Sequence, residues 1–308
     1  MGTEELVIEA PASIANLGPA FDVAALAINP PSDIVRVKVT DGDGVFIQNS
    51  GEYASNLPTE GSRNSAHLVA AKAIELAGLR KRIEINVIKR IKPASGLGSS
   101  GATSAAVAYA LNKLLNLGLG EWELVELASY GELASAGVRH MDNVAASLFG
   151  GLVIVNPMVR RVTKINFPEL SIVVVIEGSK PNTGFMRSIL PKAYELGDVV
   201  ANMANVAQLV ASVLMNDMDL FSKVITNDRV AMPYRVKVYE HWGIVKSILE
   251  DHGALGVVLS GAGPSIAAFF KREPQVNEIK AELMKAGLSP VVILTKPSNE
   301  GSREVNYY

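Results

Sequence analysis

Apolar and polar residues alternate most clearly at residues 83–88, where Ile83, Ile85 and Val87 are separated by Glu84 and Asn86. A period of two is that of a strand with one buried face. Residues 6–8, 34–39 and 45–48 read as earlier strands, and 152–155 as a later one. Apolar positions three and four apart predict helices over 64–77, 102–115 and 121–135. A loop rich in Gly, Ser, Asn and Pro spans 49–63, and Asn156-Pro157 marks a boundary. The second half opens on a buried strand at 171–176. Helices follow over 198–214 and 241–250, then strands at 255–260 and 266–270 joined by Gly261-Ala262-Gly263-Pro264. A helix over 274–286 and a strand at 291–294 come last. The tail after Pro297 is polar and is expected to be loosely held. Helices mix with antiparallel-looking strands in both halves, which predicts the α+β class rather than a regular βαβ series.

Composition narrows this picture. The chain has 308 residues, 48% of them apolar, enough for one large or two moderate domains. A net charge of −2 gives no basic face for nucleic acid. There are no cysteines, hence no disulfide framework and no thiolate metal site. The first residues carry two glutamates and no secretory pattern, and no unbroken run of eighteen apolar residues occurs. A soluble cytoplasmic protein without membrane or nucleic-acid partners is expected.

The richest chemistry lies in Pro93-Ala94-Ser95-Gly96-Leu97-Gly98-Ser99-Ser100-Gly101-Ala102, between the strand at 83–88 and the helix at 102–115. A glycine-rich turn there sets backbone N–H groups at the positive end of a helix dipole, a ready site for phosphate. Gly96 and Gly98 let an anion approach the backbone, and Ser99 and Ser100 add hydroxyls at the cap, one of which could reach a metal ion. The turn lacks the Lys that follows the last glycine of a P-loop, and it is no dinucleotide fingerprint. A helix cap without ligand is the plainer reading of the turn alone. Gly98 and Ser100 are expected to serve nucleotide binding more than folding.

Other segments are weaker. Pro11 to Asp22 reads as a loop with Ser13, Asn16 and Asp22 held inward among apolar neighbours. Asp142 or Asn143 could cap a helix over 144–149, or stand beside a hydroxyl nucleophile. His140 alone is most simply structural. Gly261 to Ser265 is a hairpin turn, or a second backbone surface facing a ligand. Arg187 and Arg235 lie in polar loops, as surface residues or as a bidentate clamp for a carboxylate.

Three of these blocks, Pro11 to Asp22, Pro93 to Ala102 and Ser260 to Ser265, resemble in order and spacing the three signature motifs of the GHMP small-molecule kinases. Within that superfamily the homoserine kinases are the most similar. Their first motif is matched by Pro11, Ser13, Asn16, Leu17, Gly18, Pro19, Phe21 and Asp22, and their His-Pro-Asp-Asn block by His140, Asp142 and Asn143. Ala20, Met141 and Gly101 depart from the pattern without removing a polar side chain. The resemblance implies two domains. Residues 1–156 would resemble ribosomal protein S5 domain 2, and 157–308 would be ferredoxin-like, with ATP and substrate between them. It also implies ATP-dependent, Mg2+-assisted phosphorylation of the homoserine side-chain hydroxyl in threonine biosynthesis, by a homodimer. Carried over by position, Asn64 and Lys89 would line the nucleoside pocket. Pro93, Ser95, Gly96, Leu97, Gly98, Ser99 and Ser100 would hold the nucleotide, with Ser100 and Glu132 on Mg2+. Asn16, Asp142 and Asn143 would be catalytic. Asp22, His140 and Gly261 would face the substrate, with Arg187 and Arg235 on its carboxylate and Thr183 nearby. Another GHMP kinase, acting on mevalonate or shikimate, and a non-catalytic metabolite-binding member of the fold are the alternatives.

Overall fold

Two β-sheets organise the chain in its computed structural model, which describes residues 4–307 apart from 56, 60, 138 and 180–182. In the first sheet β1 (Glu4–Ala15) and β2 (Ala24–Asp41) run antiparallel, with a register shift between Pro11 and Ala12. β3 (Gly44–Ser50) runs parallel to β4 (Lys81–Ile88), and α1 (Ser65–Ala77) makes the crossover between them. The alternation read at 83–88 points Ile83, Ile85 and Val87 into the core. α1 packs over β3 and β4, and β1 and β2 are covered by α2 (Ser99–Leu114), whose buried residues include Ala102, Ala105, Ala106, Ala108 and Ala110. A helix of small residues buried on nearly every side can approach a sheet closely. Beside it lie α3 (Glu121–Ser129), α4 (Leu133–Ala136) and α5 (Asp142–Phe149). β5 (Leu152–Asn156) pairs with β2 and with β6 (Arg161–Ile165).

The second sheet is built on β7 (Ser171–Ile176). After it come α6 (Thr183–Ser188), α7 (Leu196–Leu214), α8 (Met218–Ile225), α9 (Met232–Arg235) and α10 (Trp242–Asp251). β8 (Gly256–Leu259), β9 (Ser265–Phe270), α11 (Val276–Lys285) and β10 (Val291–Thr295) complete it, in the antiparallel order β10-β7-β9-β8. The continuous apolar run of β7 follows from burial on both faces. Val173 and Val175 pack with Val245, Leu249, Ile279 and Leu283 of α10 and α11. Ile172, Val174 and Ile176 face the other way, into the core shared with the first sheet. Phe269 of β9 meets Phe221 of α8 edge-on at 5.3 Å, and Phe221 meets Phe167 at 5.7 Å. All three rings belong to the apolar core that both sheets share, and their edge-on contacts add to its packing.

The structure corrects several expectations. β1 runs on to Ala15, so the Pro11 block is strand before it is loop. β2 starts at Ala24, ten residues early, because Pro30 and Pro31 hide its first half from a propensity reading. The helix expected over 121–135 breaks after Ser129 into a tight turn over 130–132. A Cβ on Gly131 would lie 2.0 Å from Ser104 Oγ, so the break sits where two helices touch. The tail after Pro297 is not loose. It adds β11 (Arg303–Glu304) to β1 in the seven-stranded first sheet. Ser302 Oγ donates to Ser147 O at 2.9 Å and Arg36 Nη2 to Tyr307 O at 3.1 Å. Among the described residues α7 is the one helix long and apolar enough to cross a membrane. Asn202 within it is buried, donating to Pro19 O and accepting from Arg229 N, each at 3.0 Å, which fixes the helix in this fold.

Candidate functional site

A cavity of about 420 Å³ lies between the two sheets' connecting loops. One wall is the glycine turn. Gly98 is the residue that caps α2, in the left-handed region at φ 66°, and the first helical bond runs from Ala102 N–H to Gly98 O. Ser99 and Ser100 are therefore the first helical residues rather than the cap. The first N–H groups of a helix have no partner inside it, and here that end of α2 opens on the cavity. Ser99 Oγ donates to Ile91 O at 3.0 Å and Ser95 Oγ to Lys92 O at 2.7 Å, so both hydroxyls fold the loop on itself.

The loop before β9 backs the turn. Ser260 Oγ donates to Gly96 O at 2.7 Å, and Ser265 N–H donates to Ser95 O at 3.0 Å. A Cβ on Gly96 would lie 2.7 Å from both Gly263 O and Ser260 O. A Cβ on Gly98 would lie 2.2 Å from Ser13 Oγ and 2.9 Å from Asn143 Oδ1. Gly98 thus serves close packing, a demand on folding that the expectation of a chiefly nucleotide-binding role left out. Ser13 Oγ in turn donates to Asn143 Oδ1 at 2.7 Å, tying the first motif to α5.

The opposite end is acidic and basic together. Asn16, at φ 74°, accepts from Asp22 N–H and donates to Gly261 O, each at 3.2 Å. Gly18 beside it cannot be replaced, because a Cβ there would lie 1.7 Å from Ile225 O. Asp22 is half-buried, with Arg187 Nη2 at 2.7 Å and His140 Nδ1 at 3.8 Å. Arg235 is only 5% exposed, donating to Gly261 O at 3.0 Å and Met186 O at 3.3 Å. Phe21 lies under both guanidinium groups, 4.8 Å from Arg235 and 5.7 Å from Arg187. Asp142 is buried at the start of α5. Burial first, and the nearby Asp22 charge second, push its carboxyl up to about 6 against the help of the Asn143 N–H. Asp228 accepts from the N–H groups of Val230, Ala231 and Met232, which fixes the start of α9 and so the place of Arg235.

Most of the expected site residues converge on this cavity. Asn16, Asp22, Asn64, Lys89, Pro93, Gly96, Gly98, Ser99, Ser100, Glu132, His140, Asp142, Asn143, Arg235 and Gly261 all line it. The break after Ser129 sets the buried Glu132 in the tight turn, and it lines the same cavity as Ser100. Three expected residues stand elsewhere, and a fourth has no described side chain. Leu97 is fully buried in the core, and Ser95 lies behind the turn, outside the lining. Arg187 reaches the site only through Asp22. Thr183 opens α6, and its side chain lies outside the described residues. Neither arginine is in a loop: Arg187 belongs to α6 and Arg235 to α9. Sequence reasoning missed Asn49, Leu57, Pro58, Arg63 and Val87, which form the end near Asn64. Asn64 itself caps α1, accepting from His67 N–H at 3.0 Å and donating to Pro58 O. An Asn directly before a helical pattern was the available signal.

Comparison with known proteins agrees with this geometry. The family model described as the GHMP kinases N-terminal domain matches residues 64–151, and the GHMP kinases C-terminal model matches 205–288. The chain is 38% identical over 268 residues to a homoserine kinase of Methanococcus maripaludis, covering 87% of this chain and 88% of that protein. It is 35% identical to a homoserine kinase of Thermoplasma volcanium, over 99% of this chain and 98% of the other. A crystal structure of homoserine kinase from Cytophaga hutchinsonii superposes with a TM-score of 0.88 at 31% identity, covering 98% of this chain and 97% of that one.

Proposed function

This chain belongs to the GHMP kinase family, and on that footing we propose that it is a homoserine kinase, transferring the terminal phosphoryl group of ATP to the side-chain hydroxyl of L-homoserine in threonine biosynthesis. The observation that carries the acceptor is the composition of the cavity's far end: two carboxylates, Asp22 and Asp142, with Arg235 beside them. A free amino acid brings an ammonium and a carboxylate together, and this end offers a partner for each. Mevalonate and shikimate have a carboxylate but no ammonium, and would leave the buried Asp142 without a cationic partner.

Phosphoryl transfer asks for positioning and charge neutralisation more than for covalent chemistry. The α2 N-terminus and the Gly96 and Gly98 backbone would hold phosphate oxygens, while the apolar Leu57, Pro58 and Val87 flank the base end near Asn64. Magnesium would arrive with ATP and supply further neutralisation of phosphate charge. Its protein donors would be Ser100 and Glu132, which face one cavity. Among the described residues no group of three or more acidic or His side chains could hold a metal alone. Such a sparse set fits an ion bound largely through phosphates and water. Asp22, Asp142 and Asn16 would take the ammonium and orient the hydroxyl, and Arg235 the carboxylate. Asp142, its carboxyl raised to about 6, is ionised at neutral pH yet close enough to it to accept the hydroxyl proton. We also propose a cytoplasmic homodimer. Leu196, Val200, Met203 and Leu214 expose an apolar stripe along α7 that supports self-association.

The test is ADP release measured with homoserine, mevalonate and shikimate, with and without Mg2+. Homoserine should be turned over at least roughly a hundredfold faster than the other acceptors, given the charges each leaves unpaired. A faster rate with mevalonate or shikimate would overturn the acceptor assignment. Light scattering at two protein concentrations tests the dimer.

A further inference from the structure

Lys89 lines the cavity, yet its ammonium is spent inside the protein. Its three protons are matched by three acceptors: Asp33 Oδ2, Ser99 O at 2.8 Å and Thr103 Oγ1 at 2.8 Å. Lys89 is 4% exposed and Asp33 0%. Asp33 comes from β2, in the half of the strand that precedes the paired residues of β4. Its second oxygen, Oδ1, accepts from Arg90 N–H and Ile91 N–H, both at 2.9 Å. Thr103 Oγ1 lies 3.2 Å from Asp33 Oδ2 and 3.3 Å from Ser99 O.

These bonds meet the glycine turn at both ends. Arg90 and Ile91 are where the chain leaves β4, and Ser99 is where it enters α2. One carboxylate holds the exit directly and the entry through Lys89. We infer that Asp33, Lys89 and Thr103 form a buried strut that sets the width and pitch of the phosphate-binding turn, and that Lys89 acts on ATP through this strut rather than as a ligand of the nucleotide. All three are positioning residues in this account. The inference rests on the kinase reading for its ligand. The charges explain why such a polar cluster is kept in an apolar interior. A buried ion pair contributes little net stability against apolar replacements, so its retention calls for a geometric role. The turn itself is rich in glycine, and while the Ser95 and Ser99 hydroxyls tie it locally, the Asp33–Lys89 pair links its two ends.

The experiment is a double-mutant cycle on the full chain with Asp33→Asn, Lys89→Met and the pair combined. It is read by ATP affinity in calorimetry without acceptor, by KM for each substrate, and by thermal midpoint. If the strut holds, each single change weakens ATP roughly ten- to a hundredfold, as expected when a charged hydrogen-bonded partner is lost. The double variant should be no worse than the worse single one, its midpoint should recover toward wild type, and KM for homoserine should stay put. If Lys89 were a ligand, Asp33→Asn would free its ammonium and ATP affinity would hold or rise, which overturns the strut. Should Asp33→Asn fail to fold, Thr103→Val carries the test. It should weaken ATP several-fold and Thr103→Ser should restore it, whereas unchanged ATP affinity in Thr103→Val would count against the strut. Wild-type protein that binds ATP but leaves homoserine untouched would defeat the acceptor assignment and not this inference.

Discussion

The two ends of the cavity are built on opposite principles. The phosphate end is backbone: Gly96, Gly98 and the first turn of α2, with side chains such as Ser95, Ser99 and Lys89 turned inward to hold the loop. The acceptor end is side chain: Asp22, Asp142, Arg187 and Arg235, drawn from one loop and three helices. A backbone site binds what every nucleotide has in common and tolerates no added atoms. A side-chain site selects among acceptors and tolerates gradual change. Substitutions should therefore act as a switch at one end and as a dial at the other.

The largest effect is expected from Gly98→Val. The new side chain would meet Ser13 and Asn143 at a backbone angle of 66° that L residues rarely adopt. Strain and overlap together should cost about 3 kcal/mol or more of stability and remove measurable turnover. Circular dichroism melting and the ADP assay check it. A variant with near-normal turnover would show that the phosphate end is as forgiving as the other, and would erase the contrast.

Asp142→Asn comes next, and it separates function from stability. Kinase turnover should fall by roughly 10²–10⁴-fold if the carboxylate takes the proton. The folded protein should nevertheless become more stable at pH 8. The raised carboxyl of Asp142 means that the folded state holds a proton which the unfolded chain gives up near pH 4. Its stabilising contribution is full below that pH and is lost as pH rises through about 6. At pH 8 the ionised, buried Asp142 is a burden of roughly 2–3 kcal/mol, which Asn removes. The melting temperatures of the two proteins should converge near pH 4, separate as pH rises to about 6, and keep a constant gap above it. The same titration predicts that wild-type activity declines below about pH 6. Equal melting temperatures at pH 8 would show that Asp142 is compensated in a way the geometry does not display.

Arg235→Ala tests the selective end directly. Arg235 is buried, carries its charge on bonds to Gly261 O and Met186 O, and lines the cavity. KM for homoserine should rise about a hundredfold, the cost of stranding a buried carboxylate, while KM for ATP changes little. Arg235→Lys should rescue poorly, since an ammonium cannot stack on Phe21 and reach two acceptors at once. A parallel rise in KM for ATP would mean that the two ends are coupled through Gly261.

How much of this was legible in the sequence follows the same division. The phosphate end could be read because strand, glycine turn and helix are neighbours along the chain, from Ile83 to Leu114. The acceptor end could not be built from local pattern, because Asp22 and Arg187 stand 165 residues apart. Only the resemblance to the homoserine kinases connected them. The same distance hid the tail, whose partners Ile8 and Glu9 lie at the other end of the chain. Burial was the other blind spot. Arg187 and Arg235 look alike in sequence, each near Gly or Pro, and nothing local says that one is enclosed and the other is not.

That difference between the arginines gives the smallest and most discriminating expectation. The Arg187 side chain is 48% exposed, reaches Asp22 at 2.7 Å and is absent from the cavity lining. A solvent-screened pair of this kind is worth about 0–1 kcal/mol, so Arg187→Ala should raise KM for homoserine by no more than about fivefold. The effect should shrink further in 0.5 M KCl, where exposed charges are screened within a few ångströms, whereas the Arg235→Ala effect should persist. Asp22, released from Arg187, remains beside His140 and Asn16, so the ammonium side of the site should survive the change. The measurement is KM for homoserine in both variants at low and high salt. If Arg187→Ala costs as much as Arg235→Ala and ignores salt, then α6 must close over the bound amino acid and bury that guanidinium. The acceptor end would then resemble the phosphate end in rigidity, and the contrast between a switch and a dial would have to be given up.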